Sequence, residues 1–261
     1  GGENSISAKV EDLKDTGYVT PKEMGQNMTA NQIYESGKTI AGELTKIGIN
    51  LNLAPVADLA SDQNPSYAMR CLGSDADGVA DLLDDFVSGM REGGLSVTLK
   101  TFPGIGNVSA DVTESIAENT DSLMTIRDTN FVPYASGIQA GADCVMVSNA
   151  AYSKLTVKKV PAFMSQDIVT KLLREELGFD GIVMTSPLND NVIENNYTNE
   201  FAVVEAVKAG CDLIVLPGNF KECYEALITA VEEGRIDEKV INTSVRRILQ
   251  NKIQRGILVL E

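Results

Sequence analysis

The sequence predicts an α/β domain with a parallel sheet covered by helices, and three observations carry that expectation. Apolar runs of strand length alternate in order with segments whose apolar residues recur at helical spacing. The strand runs are short, almost continuously apolar and rich in β-branched residues, as in strands buried on both faces. Each run is followed by a polar residue, giving the series Asp58, Lys100, Asn149, Ser186 and Asn219. Parallel sheets place ligand-contacting groups at such strand ends, although a solvent boundary also calls for a polar residue there. A chain of 261 residues can bury one sizeable core, so residues 1–261 are expected to form a single domain.

Taken in order, residues 1–30 are polar and irregular, with no strand pattern. Over 31–47, Ile33, Gly37, Ile40, Ala41, Leu44 and Ile47 recur at helical spacing, and Gly48 ends the helix. Residues 49–56, I-N-L-N-L-A-P-V, read as a strand closing on Asp58. Residues 77–92 read as a helix with Val79, Leu82, Leu83, Phe86, Val87 and Met90 on its apolar face. A strand over about 95–101 follows, then a helix at 130–140 and a strand at 144–148. A helix over 165–177 starts at Ser165, a good N-cap, and stops at Gly178. A strand at 181–185, a helix at 200–209 ending on Gly210 and a strand at 212–216 come next. Helices over about 221–233 and 237–254 finish a series of about five strands, with no solenoid repeat, low-complexity stretch or interdomain linker.

Composition excludes several function classes. The net charge of −15 leaves no basic surface to neutralise phosphates, so nucleic acid is not expected as a partner, and anionic membrane surfaces are disfavoured too. No apolar run is long enough to span a bilayer. Cys71, Cys144, Cys211 and Cys223 fit no metal or redox spacing and read as buried free thiols, with one disulfide as the alternative. Histidine is absent, which removes the usual zinc ligand, the usual general base and every Ser-His or Cys-His pair. Acid–base chemistry here must come from carboxylates, Tyr, Lys or Cys. No cofactor is implied, and the start Gly1-Gly2-Glu3 carries no export signal and reads as a processing scar, so no compartment is assigned.

The stretch 96–111, S-V-T-L-K-T-F-P-G-I-G-N-V-S-A-D, organises the rest. Val97 and Leu99 belong to a buried strand, and Pro103, Gly104 and Gly106 stop it in a tight turn. Lys100 at the strand end is either a ligand contact or a solvated charge. G-I-G-N-V-S lacks the ending of a phosphate loop and the spacing of a dinucleotide fingerprint.

Seven ordered motifs resemble the N-terminal domain of glycoside hydrolase family 3, nearest its single-domain β-N-acetylglucosaminidases that recycle peptidoglycan. They are G-E-L-T-K-I-G-I-N-L-N-L-A-P-V-A-D (42–58), N-P through R-C-L-G-S-D (64–75), K-T-F-P-G-I-G (100–106) and V-M-V-S-N (145–149). P-A-F-M-S (161–165) with L-L-R-E-E-L-G-F-D-G (172–181), A-G-C-D-L-I (209–214) and R-I-L-Q-N-K-I-Q-R-G (247–256) complete the set. The resemblance implies a (β/α)8 TIM-barrel-like fold, hydrolysis of O-glycosyl bonds with retention, and an N-acetylglucosamine-containing saccharide as ligand. With eight strands required and about five present, the first strands are expected to belong to a longer natural protein, with a chain that has lost them as the alternative. A cell-envelope or secreted bacterial setting would fit that family, and a cytoplasmic one would too.

Set against the family pattern, the chemistry changes. The nucleophilic aspartate of S-D-D-L-x-M corresponds to Ser186 in T-S-P-L-N-D (185–190), and the acid/base histidine of D-S-H to Thr113, with Asp111 retained. Thr101 and Ile105 stand for the two histidines of K-H-F-P-G-H-G, and Asn149 for the histidine of V-M-V-x-H. Arg70, Lys100, Thr101 and Asn149 are the expected substrate-binding positions, with Arg70 and Lys100 unchanged from the pattern. The sugar-gripping aspartate of D-Q-E-G-G would fall just before Gly1. A serine without a base is a poor nucleophile, so a catalytically impaired domain that retains saccharide or peptidoglycan-fragment binding is expected. Two alternatives stand beside it. One is an active glycosidase with relocated carboxylates, Glu114 as acid and Asp190 as nucleophile. The other is a structural or interaction module with no sugar ligand, in which Arg70 pairs with Asp58 or Asp75.

Overall fold

The computed structural model describes residues 19–259. Its helices and strands run α1 (Pro21–Asn27), α2 (Ala30–Lys46), β1 (Leu51–Asn52), α3 (Pro65–Ala68), α4 (Ala76–Glu92) and β2 (Ser96–Phe102). They continue with β3 (Glu118–Asn119), α5 (Leu123–Asp128), α6 (Phe131–Gln139), β4 (Cys144–Val147), β5 (Ala151–Tyr152) and the π-wound α7 (Asp167–Glu176). The series closes with β6 (Ile182–Thr185), α8 (Asn191–Glu194), α9 (Asn199–Ala209), α10 (Phe220–Glu232) and α11 (Glu238–Gln254).

The main sheet is parallel in the order β1-β2-β4-β6, with Leu51 opposite Ser96, Thr98 opposite Cys144 and Cys144 opposite Ile182. Leu213 bridges Met184 and carries the order one step further. Helices α2, α4 and α6 cover one face through Ile33, Leu44, Leu83, Val87, Met90 and Tyr134, all buried. The other face is lined by Cys144, Met146, Ile182 and Met184, against which Leu51, Leu213, Val215 and Ile248 pack. All four cysteines are free and buried. No helix of the described residues is long and apolar enough to cross a membrane.

Two buried aspartates hold α11 across the N-terminal strand ends. Asp143 takes a two-oxygen contact from the Arg255 Nη2 at 2.8 and 2.6 Å, the Arg91 guanidinium at 3.2 Å, and the Val97 backbone N–H at 3.0 Å. Asp212 is held by Arg174 at 2.5 Å, Arg247 at 3.2 Å and the Val183 N–H at 2.9 Å. Charges this deeply buried are tolerated because each oxygen is satisfied. With the bottom of the sheet closed off, its C-terminal edge is left for a site.

Several expectations need correction. Within 1–30, residues 21–27 form a helix, because Thr20 and Glu23 close a capping box with Pro21 at the first turn; residues 1–18 lie outside the described ones. Only Leu51–Asn52 of the 49–56 segment is a regular strand, although Ala54 and Pro55 carbonyls still accept from Thr98 and Lys100. The 212–216 run forms no regular strand: it lies against β6 through the Leu213 bridge to Met184 and bonds from Asp212 and Val215 to Val183 and Thr185, and Leu216, with φ +45, and Pro217 then turn the chain away. Ser165 does not cap with its side chain; its carbonyl accepts from Ile168 and Val169, and the helix beyond winds as a π-helix. The short parallel pair β3–β5 carries too few residues for any periodicity.

Candidate active site

The site is built around Asp58, which is wholly buried. Its two oxygens accept five hydrogen bonds, from the Tyr67 and Tyr134 hydroxyls at 2.8 and 2.9 Å, the Thr101 hydroxyl at 3.0 Å, and the Thr101 and Ile105 backbone N–H groups at 3.1 Å each. Burial pushes its carboxyl above the usual range, and the donors from Ile105, Tyr67, Tyr134 and Thr101 pull the other way. Asp58 is therefore the anchor that bends the 101–105 segment over the sheet. Gly104 and Gly106 are required by that bend: a Cβ at Gly104, whose φ is +121, would lie 1.8 Å from the Asn130 amide, and one at Gly106 would lie 1.8 Å from the Leu59 carbonyl. Asn130 and the Tyr152 hydroxyl then hold the Pro103 and Gly104 carbonyls at 3.1 and 2.9 Å.

Lys100 and Arg70 stand beside this anchor, both half-buried. Burial and the neighbouring Arg70 charge bring the Lys100 ammonium down to about 8. Arg70 lies over the Tyr67 ring, 5.1 Å from its centre. Neither pairing expected as the structural alternative for Arg70 is present, because Asp58 is filled by hydroxyl and amide donors and Asp75 caps α4 through the Gly78 N–H at 2.8 Å. Thr101 turns its hydroxyl inward to Asp58 and Tyr67, and Ile105 is buried in the core.

A second cluster gathers at the ends of β4 and β6. Ser186 is buried and donates its hydroxyl to the Val147 carbonyl at 2.9 Å. Asn149, 1% exposed, donates from Nδ2 to Asp190 at 2.8 Å, while its Oδ1 is buried without a partner. Thr113 donates both its hydroxyl (2.7 Å) and its N–H (2.8 Å) to Asp111. The 111–114 loop meets α8 through the Val192 N–H on the Thr113 carbonyl at 2.8 Å and Asn191 on Glu114 at 2.9 Å. Burial, and to a lesser degree the Asp111 and Glu114 charges, raise the Asp190 carboxyl to about 6, against the Asn149 bond that lowers it.

The structure thus brings together three segments far apart in sequence, 111–114, Asn149 and 186–190. Asn219 is a helix cap of α10, accepting from the Glu222 N–H, rather than part of this cluster. The Tyr67–Tyr134 pair that completes the anchor carries no motif; the only sequence signal for it is two tyrosines on otherwise apolar helical faces.

A parallel α/β sheet with a buried carboxylate anchor, two cations that make no ion pair among the described residues and a polar loop cluster along its C-terminal edge defines a domain of the barrel-like α/β class, in which candidate sites lie at that edge. Residues 7–251 match the model of the glycosyl hydrolase family 3 N terminal domain, and the chain belongs to that family. A beta-hexosaminidase of Xylella fastidiosa strain M23 is 32% identical over 183 residues, 70% of this chain and 54% of the relative. A beta-N-acetylglucosaminidase/beta-glucosidase of Cellulomonas fimi is 27% identical over 268 residues, 97% of this chain and 48% of the relative. The chain therefore spans about half the length of these relatives. Among solved structures, a family 3 beta-N-acetylglucosaminidase from Paenibacillus sp. str. FPU-7 superposes with a TM-score of 0.88 at 32% identity, over 94% of this chain and 48% of the other. A beta-N-acetylhexosaminidase from Beutenbergia cavernae superposes at 0.82 with 30% identity, over 91% and 71%.

Proposed function

We propose that this family 3 domain binds an N-acetylglucosamine-containing saccharide, such as a peptidoglycan fragment, and no longer hydrolyses it by the family's usual groups. The observation that carries the reading is Ser186: its hydroxyl proton is spent on the Val147 carbonyl, and among the described residues no carboxylate hydrogen-bonds it. A serine in that state offers neither a low-pKa anion nor an activated oxygen. Thr113 is likewise spent on Asp111, which leaves no proton donor at the acid/base position. Binding is supported by Lys100 and Arg70, which make no ion pair among the described residues and stand beside Asp58, whose oxygens are already taken by hydroxyl and amide donors. The names of the relatives supply the sugar.

Calorimetric titration of the purified chain with N-acetylglucosamine and with a muropeptide tests this. Saturable binding is expected, weakened about tenfold in Lys100→Met and in Arg70→Met, a change of ~1.4 kcal/mol. Absence of heat with either ligand would leave the structural-module reading in its place.

A further inference from the structure

After β5 the loop 156–160 leads into the 162–164 turn, which is tied to the strand ends by the Ala162 N–H on the Ala150 carbonyl at 2.9 Å. Between that loop, the start of α7 and the end of α9 lies a cavity of ≈ 320 Å³, whose walls include Lys158, Ser165, Gln166, Asp167, Glu205 and Lys208. None of these residues belongs to the strand-end site.

Two independent features of the wall point to an anion. The first is the start of α7, a helix of 10 residues. The Gln166 and Asp167 N–H groups have no acceptor among the described residues, and no side chain caps the helix. Such a start favours negatively charged oxygens. The second is Ser165, 6% exposed, whose hydroxyl makes no hydrogen bond among the described residues. The sealed polar side-chain atoms without a partner are those of Thr98, Asn149 and Asn199, so the Ser165 oxygen keeps access to the cavity that its residue lines. A hydroxyl this deep is ordinarily paired, and here its proton is uncommitted.

The charges around the cavity agree. Asp167 is paired with Lys171 and Glu205 with Lys208, each at 2.6 Å, while Lys158 makes no ion pair among the described residues. The Lys208 and Ala209 carbonyls, at the electronegative end of α9, are taken by the Gln166 Nε2 and the Thr170 hydroxyl at 2.8 Å each. One hydroxyl, two N–H groups and one ammonium are left as donors for a ligand. A carboxylate offers two oxygens to such a set, and a phosphate group three or more.

We propose that this cavity binds a phosphate group, its oxygens held by Ser165 and the Gln166 and Asp167 N–H groups and its charge met by Lys158. The site shares no residue with the saccharide reading above and does not depend on it. A net charge of −15 gives no long-range attraction, so affinity comes from these local donors and falls with added salt.

Inorganic phosphate and N-acetylglucosamine 6-phosphate, titrated separately into the purified chain in chloride buffer, give the test, read at the Gln166 and Asp167 amide resonances so that a sugar seated beside Lys100 does not count. Both amides are expected to shift saturably with inorganic phosphate. Ser165→Ala removes a hydroxyl that the fold does not use and should weaken that binding about tenfold. Lys158→Met should weaken it about threefold, and more at low salt; Lys159→Met, whose ammonium is spent on Glu118, should leave it unchanged. Tighter binding of the ester assigns the site to a phosphate carried on a sugar, and equal or weaker binding assigns it to the free ion. Amides that do not shift, that shift without saturating, or whose saturation survives both Ser165→Ala and Lys158→Met overturn the site.

Discussion

Asp58 and Asp190 are two carboxylates with opposite consequences for stability. Asp58 has five donors and no access to water, so Asp58→Ala would strand two tyrosine hydroxyls and two backbone N–H groups in the core. Unsatisfied buried donors cost about 1–3 kcal/mol each before relaxation, and a net loss of ~3–5 kcal/mol is expected in urea unfolding, with the 101–105 turn released. Asp190 is half-buried and its carboxyl is raised to about 6 in the fold. Because the folded value lies above the unfolded one, its contribution favours the fold in acid, below about pH 4, and is lost as pH rises through 6. Asp190→Asn is therefore expected to stabilise the chain at pH 8 by ~1 kcal/mol, less than the full shift because solvent screens the site. At pH 4 the gain should vanish; an equal gain at both pH values in urea titrations would count against the assigned cause.

At the scale of elements, the helices were the legible part. Apolar spacing placed α2, α4 and α9 within a residue or so of their observed bounds, because each buries one stripe against the sheet. The strand at 49–56 was over-read: Pro55 has no N–H and breaks the regular ladder although the chain stays extended. The helix α1 was missed although T-P-K-E spells a capping box, a local signal that apolar periodicity does not register. Long-range ion pairs are invisible to such reading altogether. Asp143 and Arg255 are 112 residues apart, yet their contact fixes α11 under the sheet. Arg255→Met should cost ~2–4 kcal/mol, since Asp143 keeps Arg91 and Asn251 but loses its two-oxygen partner; hydrogen exchange should show α11 opening ahead of α4.

For the whole molecule, ordered motifs disclosed the family and the parallel sheet, and the fold matches its solved relatives. What the motifs left open was chemistry, because a substitution such as Ser186 names what is absent and not what its neighbours do. Only three-dimensional contacts show that hydroxyl spent on Val147, Arg70 over the Tyr67 ring, and Asp190 drawn against Asn149 beside two further carboxylates. Removing a positioned acid alone lowers a glycosidase about 10²- to 10⁴-fold, and the proposed assignment of Ser186 to the nucleophile position would lower it further. The most direct test is release of nitrophenol from an aryl β-N-acetylglucosaminide by the purified chain. No release above the buffer rate is expected; steady turnover that is abolished by Asp190→Asn or Glu114→Gln would contradict the loss of hydrolysis and make these carboxylates a working catalytic pair.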